Sequence, residues 1–179
     1  MEQDIERVLI DRAQIARRCD ELAGEIVATY QGRPGELWVV AVLSGAFVFL
    51  SDLIRRIPIR MRLTLLHVSS YPGRQTRSTE AVIEGQLPRH LAGRDVLIVD
   101  DILDSGKTLR AVIQRVWRQQ PASVRTCVLL RKPDKAPSDV PADFVGFDIE
   151  DAFVVGYGLD YGQLYRNYPD IGVLRAECY

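Results

Sequence analysis

The run VLIVDDILDSGKTL, Val96 to Leu109, sets three carboxylates, Asp100, Asp101 and Asp104, beside a small polar stretch, Ser105-Gly106-Lys107-Thr108. The polar stretch suits an anion. Glycine lets backbone approach closely, hydroxyls donate hydrogen bonds, and a helix start offers unpaired N–H groups at the positive end of its dipole. Carboxylates repel anions, so they need a different partner. They accept hydrogen bonds from vicinal sugar hydroxyls, and they hold magnesium, which prefers oxygen ligands and often bridges to substrate phosphates. A Walker-type triphosphate loop requires Gly five residues before the Gly-Lys pair, and that position holds Asp101. A ligand with a ribose diol, a magnesium-bound pyrophosphate and a separate phosphate satisfies every part. Phosphoribosyl pyrophosphate has that constitution.

Such a run must sit on a scaffold. Val96–Val99 reads as a buried strand and Leu109–Gln119 as a helix, with Val112, Ile113, Val116 and Trp117 on one side. Upstream, Ile15, Cys19, Leu22, Ile26 and Tyr30 mark an amphipathic helix over 11–30, ended by Gln31-Gly32-Arg33-Pro34-Gly35. The continuous apolar run Leu37–Leu43 reads as a strand buried on both faces. A helix over Ala46–Ile57 and strands over Met61–Val68 and Val124–Leu130 follow, with shorter apolar pieces at Phe144–Phe147, Phe153–Tyr157 and Ile171–Leu174. Strands alternating with helices predict an α/β fold with a parallel sheet covered on both faces, and ligands in such sheets sit beyond the carboxyl ends of the strands. The stretch from Ser69 to Gly93, rich in Gly, Pro, Ser, Thr and Arg, reads as a binding loop or lid in its first half, in the form of a hairpin or a plain surface excursion.

The bulk numbers narrow the class. A chain of 179 residues is the length of one domain. With 47% hydrophobic residues, 26% charged and a net charge of −1, it reads as an ordinary globular chain with no global pull towards nucleic acid or anionic membrane. Cys19, Cys127 and Cys178 form no CxxC pair and read as reduced thiols. The acidic start MEQDIERVLI is unlike a signal peptide, and no run approaches the ~20 apolar residues of a membrane span. The expected compartment is the cytoplasm.

Val96–Leu109 resembles the phosphoribosyl-pyrophosphate loop of the type I phosphoribosyltransferases: a hydrophobic strand, two acids, two apolar residues, a class-dependent residue, then a small residue, Gly and Thr. Asp104 at the class-dependent position resembles the 6-oxopurine branch, the hypoxanthine-guanine phosphoribosyltransferases. The likeness runs from about residue 5 to 179, and is also strong at Leu129-Leu130-Arg131-Lys132, at FVGFDIEDAFVVGYGLD (Phe144–Asp160) and at Arg166. It implies the type I phosphoribosyltransferase fold, a central parallel sheet flanked by helices with a small hood formed by N- and C-terminal segments. It further implies a single domain over 1–179, with a mobile lid around 69–85 beginning at Ser70 and Tyr71.

The resemblance also implies roles. Asp100 and Asp101 would hold the ribose hydroxyls and anchor Mg2+, while Ser105, Gly106, Lys107 and Thr108 wrap the 5′-phosphate. Asp104 would exchange a proton with purine N7. Lys132 would donate to the 6-oxo group, Phe153 stack on the base, Val154 pair with its edge through backbone groups, and Asp160 stand on the magnesium and purine side. Ser44, Gly45 and Arg166 would meet the pyrophosphate. Taken alone, Lys132 would be a solvent-facing lysine, Phe153 a core residue, and Asp160 and Arg166 surface charges. Two positions depart from the pattern. Ser44 stands where relatives often carry a basic residue, which shifts the charge burden to Arg166, and Glu150 stands where they commonly have Pro. The expected partners are phosphoribosyl pyrophosphate and a 6-oxopurine base, with no membrane, no nucleic acid, and a second copy in a homodimer or homotetramer. The rival is the pyrimidine-operon attenuator protein, an RNA-binding relative with uracil phosphoribosyltransferase activity. A basic face should accompany RNA binding, and the cluster Arg55, Arg56, Arg60 and Arg62 is the one candidate, read here as a helix end or subunit contact.

Overall fold

The central apolar runs, Leu37–Leu43, Val96–Val99 and Val124–Leu130, become strands packed from both sides, whereas Met61–Val68 leaves Leu63 and Leu65 exposed. In a computed structural model, which describes residues 1–69, 82–85, 87–88 and 90–179, the main sheet contains β2 (Leu37–Leu43), β3 (Met61–Ser69), β4 (Val82–Glu84), β5 (Asp95–Leu103), β6 (Ser123–Arg131) and β7 (Phe144–Asp148). Their order is β4-β3-β2-β5-β6-β7, parallel except for the β3–β4 pair. Alternate side chains of a strand leave opposite faces, and the burial follows that rule. Val39, Ala41, Leu97, Val99, Cys127 and Leu129 pack on one face against α1 (Arg12–Tyr30) and α2 (Phe47–Ile54). Val40, Val42, Val96, Ile98 and Val128 pack on the other against Leu109, Val112 and Val116 of α3 (Lys107–Trp117). Each fully buried Leu, Ile or Val contributes on the order of 2 kcal/mol, whereas exposed ion pairs contribute about 1 or less. The two core layers therefore hold the sheet.

The amphipathic reading of α1 agrees with its buried stripe, Ile15, Cys19, Leu22, Ala23, Ile26 and Tyr30. Asp11 starts the helix with a reciprocal cap: its carboxylate accepts from the Gln14 N–H at 2.8 Å, and the Gln14 side chain accepts from the Asp11 N–H at 2.9 Å. A second, antiparallel sheet forms the hood from β1 (Ile5–Ile10), β9 (Ile171–Leu174) and β8 (Val154–Val155), in that order. Arg12 ties the hood to α1 by donating Nε (3.0 Å) and Nη2 (2.9 Å) to the two oxygens of Asp170.

Three details differ from the expectations. The strand at the centre continues past Val99 to Leu103, because β6 pairs along it as far as Leu103–Arg131. Asp100 and Asp101 therefore belong to the strand, not to the turn after it. The helix that follows begins at Lys107, so Lys107 and Thr108 form its first turn, and Trp117 is half exposed rather than part of the buried stripe.

The strand order also fixes where a ligand can enter. From β2 the chain moves through α2 to β3 on one side, and from β5 through α3 to β6 on the other. The direction reverses between β2 and β5, and at such a switch point the two loops splay apart and leave a crevice. The β2–β5 ladder ends at Ala41–Val99 while both strands run on, which opens the sheet there.

Candidate active site

The crevice is a cleft of about 540 Å³ at the carboxyl ends of β2 and β5. Its walls are Leu43-Ser44-Gly45 after β2, the end of β3 at His67 and Val68, the run Asp100–Leu109, and Asp160, Gln163 and Arg166 from the hood side. The structure thus brings together, from separate parts of the chain, Ser44, Gly45, Asp100, Asp101, Asp104, Ser105, Gly106, Lys107, Thr108, Asp160 and Arg166. His67, passed over in the sequence, also stands on the wall.

Two adjacent carboxylates form the floor. Asp100 is buried and accepts the Asp101 N–H at 3.0 Å, and the Asp101 carboxylate accepts the Ile102 N–H at 2.8 Å. Burial, then the neighbouring Asp101 charge, pushes the Asp100 carboxyl well above the usual carboxylate range. Burial also raises Asp101, opposed by its hydrogen bonds and by the positive charge of Arg166. Gly45 is required here for space: a Cβ at that position would lie 1.5 Å from Asp101 Oδ2. Among the described residues there is no group of three or more His, Cys, Asp or Glu that could hold a metal ion unaided. Two adjacent oxygen-donor carboxylates on the wall of an open cleft nonetheless fit a magnesium ion that completes its shell with water and substrate oxygens.

The anion side begins at Gly106, the N-cap of α3, whose φ of 69° is left-handed and favours glycine. A side chain there would also strike Pro137, whose Cγ would stand 2.7 Å from its Cβ. No side chain caps the helix start, which leaves its first amide donors without an intrahelical partner, and Ser105 to Thr108 line the cleft. Arg166 supplies a positive charge from the opposite wall. Its guanidinium donates to the Gly158 carbonyl at 2.7 Å and pairs with Asp160 at 2.8 Å, which fixes it over the cleft. Gly158 (φ 103°) packs its Cα against the loop after β2, where a Cβ would fall 2.3 Å from the Gly45 carbonyl oxygen. The adjoining Tyr157 is buried and donates its hydroxyl to Asp52 of α2 at 2.7 Å. Burial, then that hydrogen bond, raises its pKa, so it stays a neutral donor.

Lys132 does not line the cleft but adjoins Asp104, which does; its side chain is only 8% exposed, with Nζ 3.2 Å from Asp104 and 3.1 Å from Asp151. Asp151 was not anticipated; it is held below the usual carboxylate range by Lys135 first and Lys132 second. Phe153 and Val154 do not line the cleft wall. Phe153 is partly exposed and stacks on Tyr179 (ring centroids 4.7 Å, 20° between planes), with Tyr161 edge-on at 5.5 Å. Val154 is buried in β8 against Val173. Ser70 and Tyr71 lie outside the described residues.

Known proteins of similar sequence and structure share this architecture. Residues 9–162 match the phosphoribosyl transferase domain family. A hypoxanthine-guanine phosphoribosyltransferase of Bacillus subtilis is 41% identical over 179 residues, covering 100% of this chain and 98% of the relative, and that of Staphylococcus aureus is 40% identical, covering 100% and 99%. A crystal structure of a hypoxanthine phosphoribosyltransferase from Staphylococcus aureus superposes with a TM-score of 0.92 at 40% identity, over 100% of this chain and 96% of that one. The Trypanosoma cruzi hypoxanthine phosphoribosyltransferase in complex with the product IMP gives 0.90 at 35% identity, over 99% and 98%. On the sheet order, the cleft at its switch point and these full-length matches, the chain belongs to the phosphoribosyl transferase family, in its hypoxanthine-guanine branch.

Proposed function

We propose that this chain is a purine salvage enzyme that moves the 5-phosphoribosyl group of phosphoribosyl pyrophosphate onto hypoxanthine or guanine, with xanthine a further candidate base. The C1′–oxygen bond breaks with its electrons leaving on pyrophosphate, and a bond from C1′ to purine N9 forms. The proton shed by the purine passes from N7 to a base on the protein. The products are IMP or GMP and pyrophosphate. The observation that carries this reading is the meeting, in one cleft, of a buried carboxylate pair, an uncapped helix start and an acid, Asp104, bonded to a buried lysine.

The chain's residues divide the work by position. Asp100 and Asp101 accept hydrogen bonds from the ribose hydroxyls and serve as the anchor for Mg2+, which when bound offsets the charge of the pyrophosphate. Ser105, Gly106, Lys107 and Thr108 wrap the 5′-phosphate. Ser44 and Gly45 offer a hydroxyl and backbone N–H groups to pyrophosphate, and Arg166 supplies the charge that Ser44 lacks. Asp104 takes the N7 proton, while Lys132 donates to the 6-oxo group, Phe153 stacks on the ring, Val154 meets its edge, and Asp160 closes the metal side. The acceleration comes mainly from alignment and from stabilising charge on the leaving group and the sugar.

We read residues 1–179 as one domain acting in the cytoplasm as a homodimer or homotetramer. Among the described residues, no helix is long and apolar enough to cross a membrane. Among the described residues, the arginine cluster that the RNA-binding alternative would use is largely paired: Arg55 with Asp52, Arg56 with Asp20 and Arg62 with Glu36. The test is a panel of hypoxanthine, guanine, xanthine, adenine and uracil, each with phosphoribosyl pyrophosphate and magnesium. Nucleotide should form from hypoxanthine, guanine or both. Turnover of uracil alone, or of no base, would refute the reading.

A further inference from the structure

Lys132 has an unusual environment for a lysine chosen to read one carbonyl. A lysine side chain has four carbons of freedom, yet this one is nearly buried and its ammonium lies between two carboxylates, Asp104 Oδ2 at 3.2 Å and Asp151 Oδ1 at 3.1 Å. The second oxygen of Asp151 is taken by Lys135 Nζ at 2.8 Å. The backbone holds this arrangement. Lys132 donates its N–H to the Leu103 carbonyl at 3.0 Å, which pins it beside Asp104. Its own carbonyl accepts from Lys135 and Ala136 at 3.0 and 2.8 Å, which turns the chain so that Lys135 comes back to Asp151. The four groups carry two positive and two negative charges, so the cluster is neutral as a unit.

An ammonium has three N–H donors and no acceptor. Two are spent on Asp104 and Asp151, and the third remains for a ligand. A donor fixed in direction by two anchors accepts only an oxygen, or another lone pair, at the point it faces, and an amino group placed there leaves both sides without a partner. With Asp104 as its single anchor the ammonium would be free to swing about that one contact, and its remaining N–H groups would lose their fixed direction. From this geometry we infer that Asp151 is a positioning residue for base selection: as a second anchor beside Asp104 it fixes the direction of Lys132 and aims its free N–H at the purine oxygen. This inference rests on the function proposed above and extends it to a residue that touches neither substrate.

The experiment compares the full chain with Asp151→Ala, Asp151→Glu and Lys135→Ala. Steady-state constants are measured for hypoxanthine, guanine, adenine and phosphoribosyl pyrophosphate, with thermal melting as a control for folding. In Asp151→Ala the KM for 6-oxopurines should rise by about tenfold, the worth of one charge-assisted hydrogen bond near its lower limit. The preference for hypoxanthine over adenine should fall by a similar factor, while the KM for phosphoribosyl pyrophosphate stays within about twofold. Lys135→Ala should give a smaller change in the same direction, and Asp151→Glu should restore part of the preference. A folded Asp151→Ala chain with unchanged base KM and unchanged preference would overturn the inference, as would an equal rise in the KM of both substrates. Failure of the unmodified chain to use any 6-oxopurine would overturn the functional reading and this inference with it. Normal turnover by the unmodified chain beside an unaffected variant would overturn this inference alone.

Discussion

The strand-to-helix run 96–109 and the hood side of the cleft, 150–170, build opposite walls of one site by different means. In the first, acids, glycine and helix start follow one another along the chain, and backbone geometry places them: a strand pinned by β6, a left-handed Gly106, then α3. In the second, Arg166 is held from within the segment, and the segment itself is seated by contacts with distant parts of the chain. Arg166 hangs on the Gly158 carbonyl, Gly158 presses on Gly45, Tyr157 donates to Asp52, and Asp170 takes Arg12. Local order should make the first wall rigid in itself. The second should depend on the seating of the hood, so changes there should show in stability and substrate KM before they show in the chemical step.

Four substitutions probe that contrast, from the largest effect down. Asp104→Asn removes the proposed proton acceptor while keeping shape, and should lower kcat by roughly 10²–10⁴-fold with little change in substrate KM; an unchanged kcat would remove Asp104 from the chemistry. Gly158→Ala would combine a left-handed φ of 103° with a Cβ 2.3 Å from the Gly45 carbonyl. It should cost about 2–3 kcal/mol in urea unfolding and raise the KM for phosphoribosyl pyrophosphate. A cost under about 0.5 kcal/mol would mean that the hood does not lean on the loop after β2.

Smaller effects should come from the hood's outer ties. The Arg12 hydrogen bonds hold the Asp170 carboxyl below its ordinary range. Stability from this pair is therefore fully present above the unfolded carboxylate value of about 3.9 and is lost as pH falls through the depressed folded one. Asp170→Asn should cost about 1–2 kcal/mol at pH 7, the low end for charged hydrogen bonds because Arg12 is largely exposed. The deficit should shrink when the same melts are run near pH 3, and a constant deficit would place the effect elsewhere. Tyr179→Ala removes the ring stacked on Phe153, a contact worth about 0.5–1.5 kcal/mol. It should raise the KM for the base by about two- to tenfold. A lower KM would show that Tyr179 covers the face that the base needs.

The contrast also explains what could be read from the chain alone. The run 96–109 was legible because its chemistry and its scaffold are contiguous, and the burial of Leu37–Leu43 and Val96–Val99 on both faces followed from their unbroken apolar character. The end of the central strand was not, since Asp100–Leu103 are extended only because β6 pairs along them. Strand β1 was missed because Glu6 and Arg7 interrupt its apolar pattern; it exists through pairing with β9 across most of the chain. Asp151 lay in plain view beside Glu150, but its 19-residue separation from Lys132 closes only when β7 pairs with β6. Glu150 ends in an ion pair with Arg7 of the hood, a contact that no local pattern announces.

The most direct test of the two-walled site is a crystal structure of this chain with IMP bound. The account predicts the 5′-phosphate on the amides of Ser105–Thr108, the ribose hydroxyls on Asp100 and Asp101, purine N7 at Asp104 and the 6-oxo oxygen on Lys132. A nucleotide whose phosphate leaves the start of α3, or whose base lies away from Asp104 and Lys132, would contradict it.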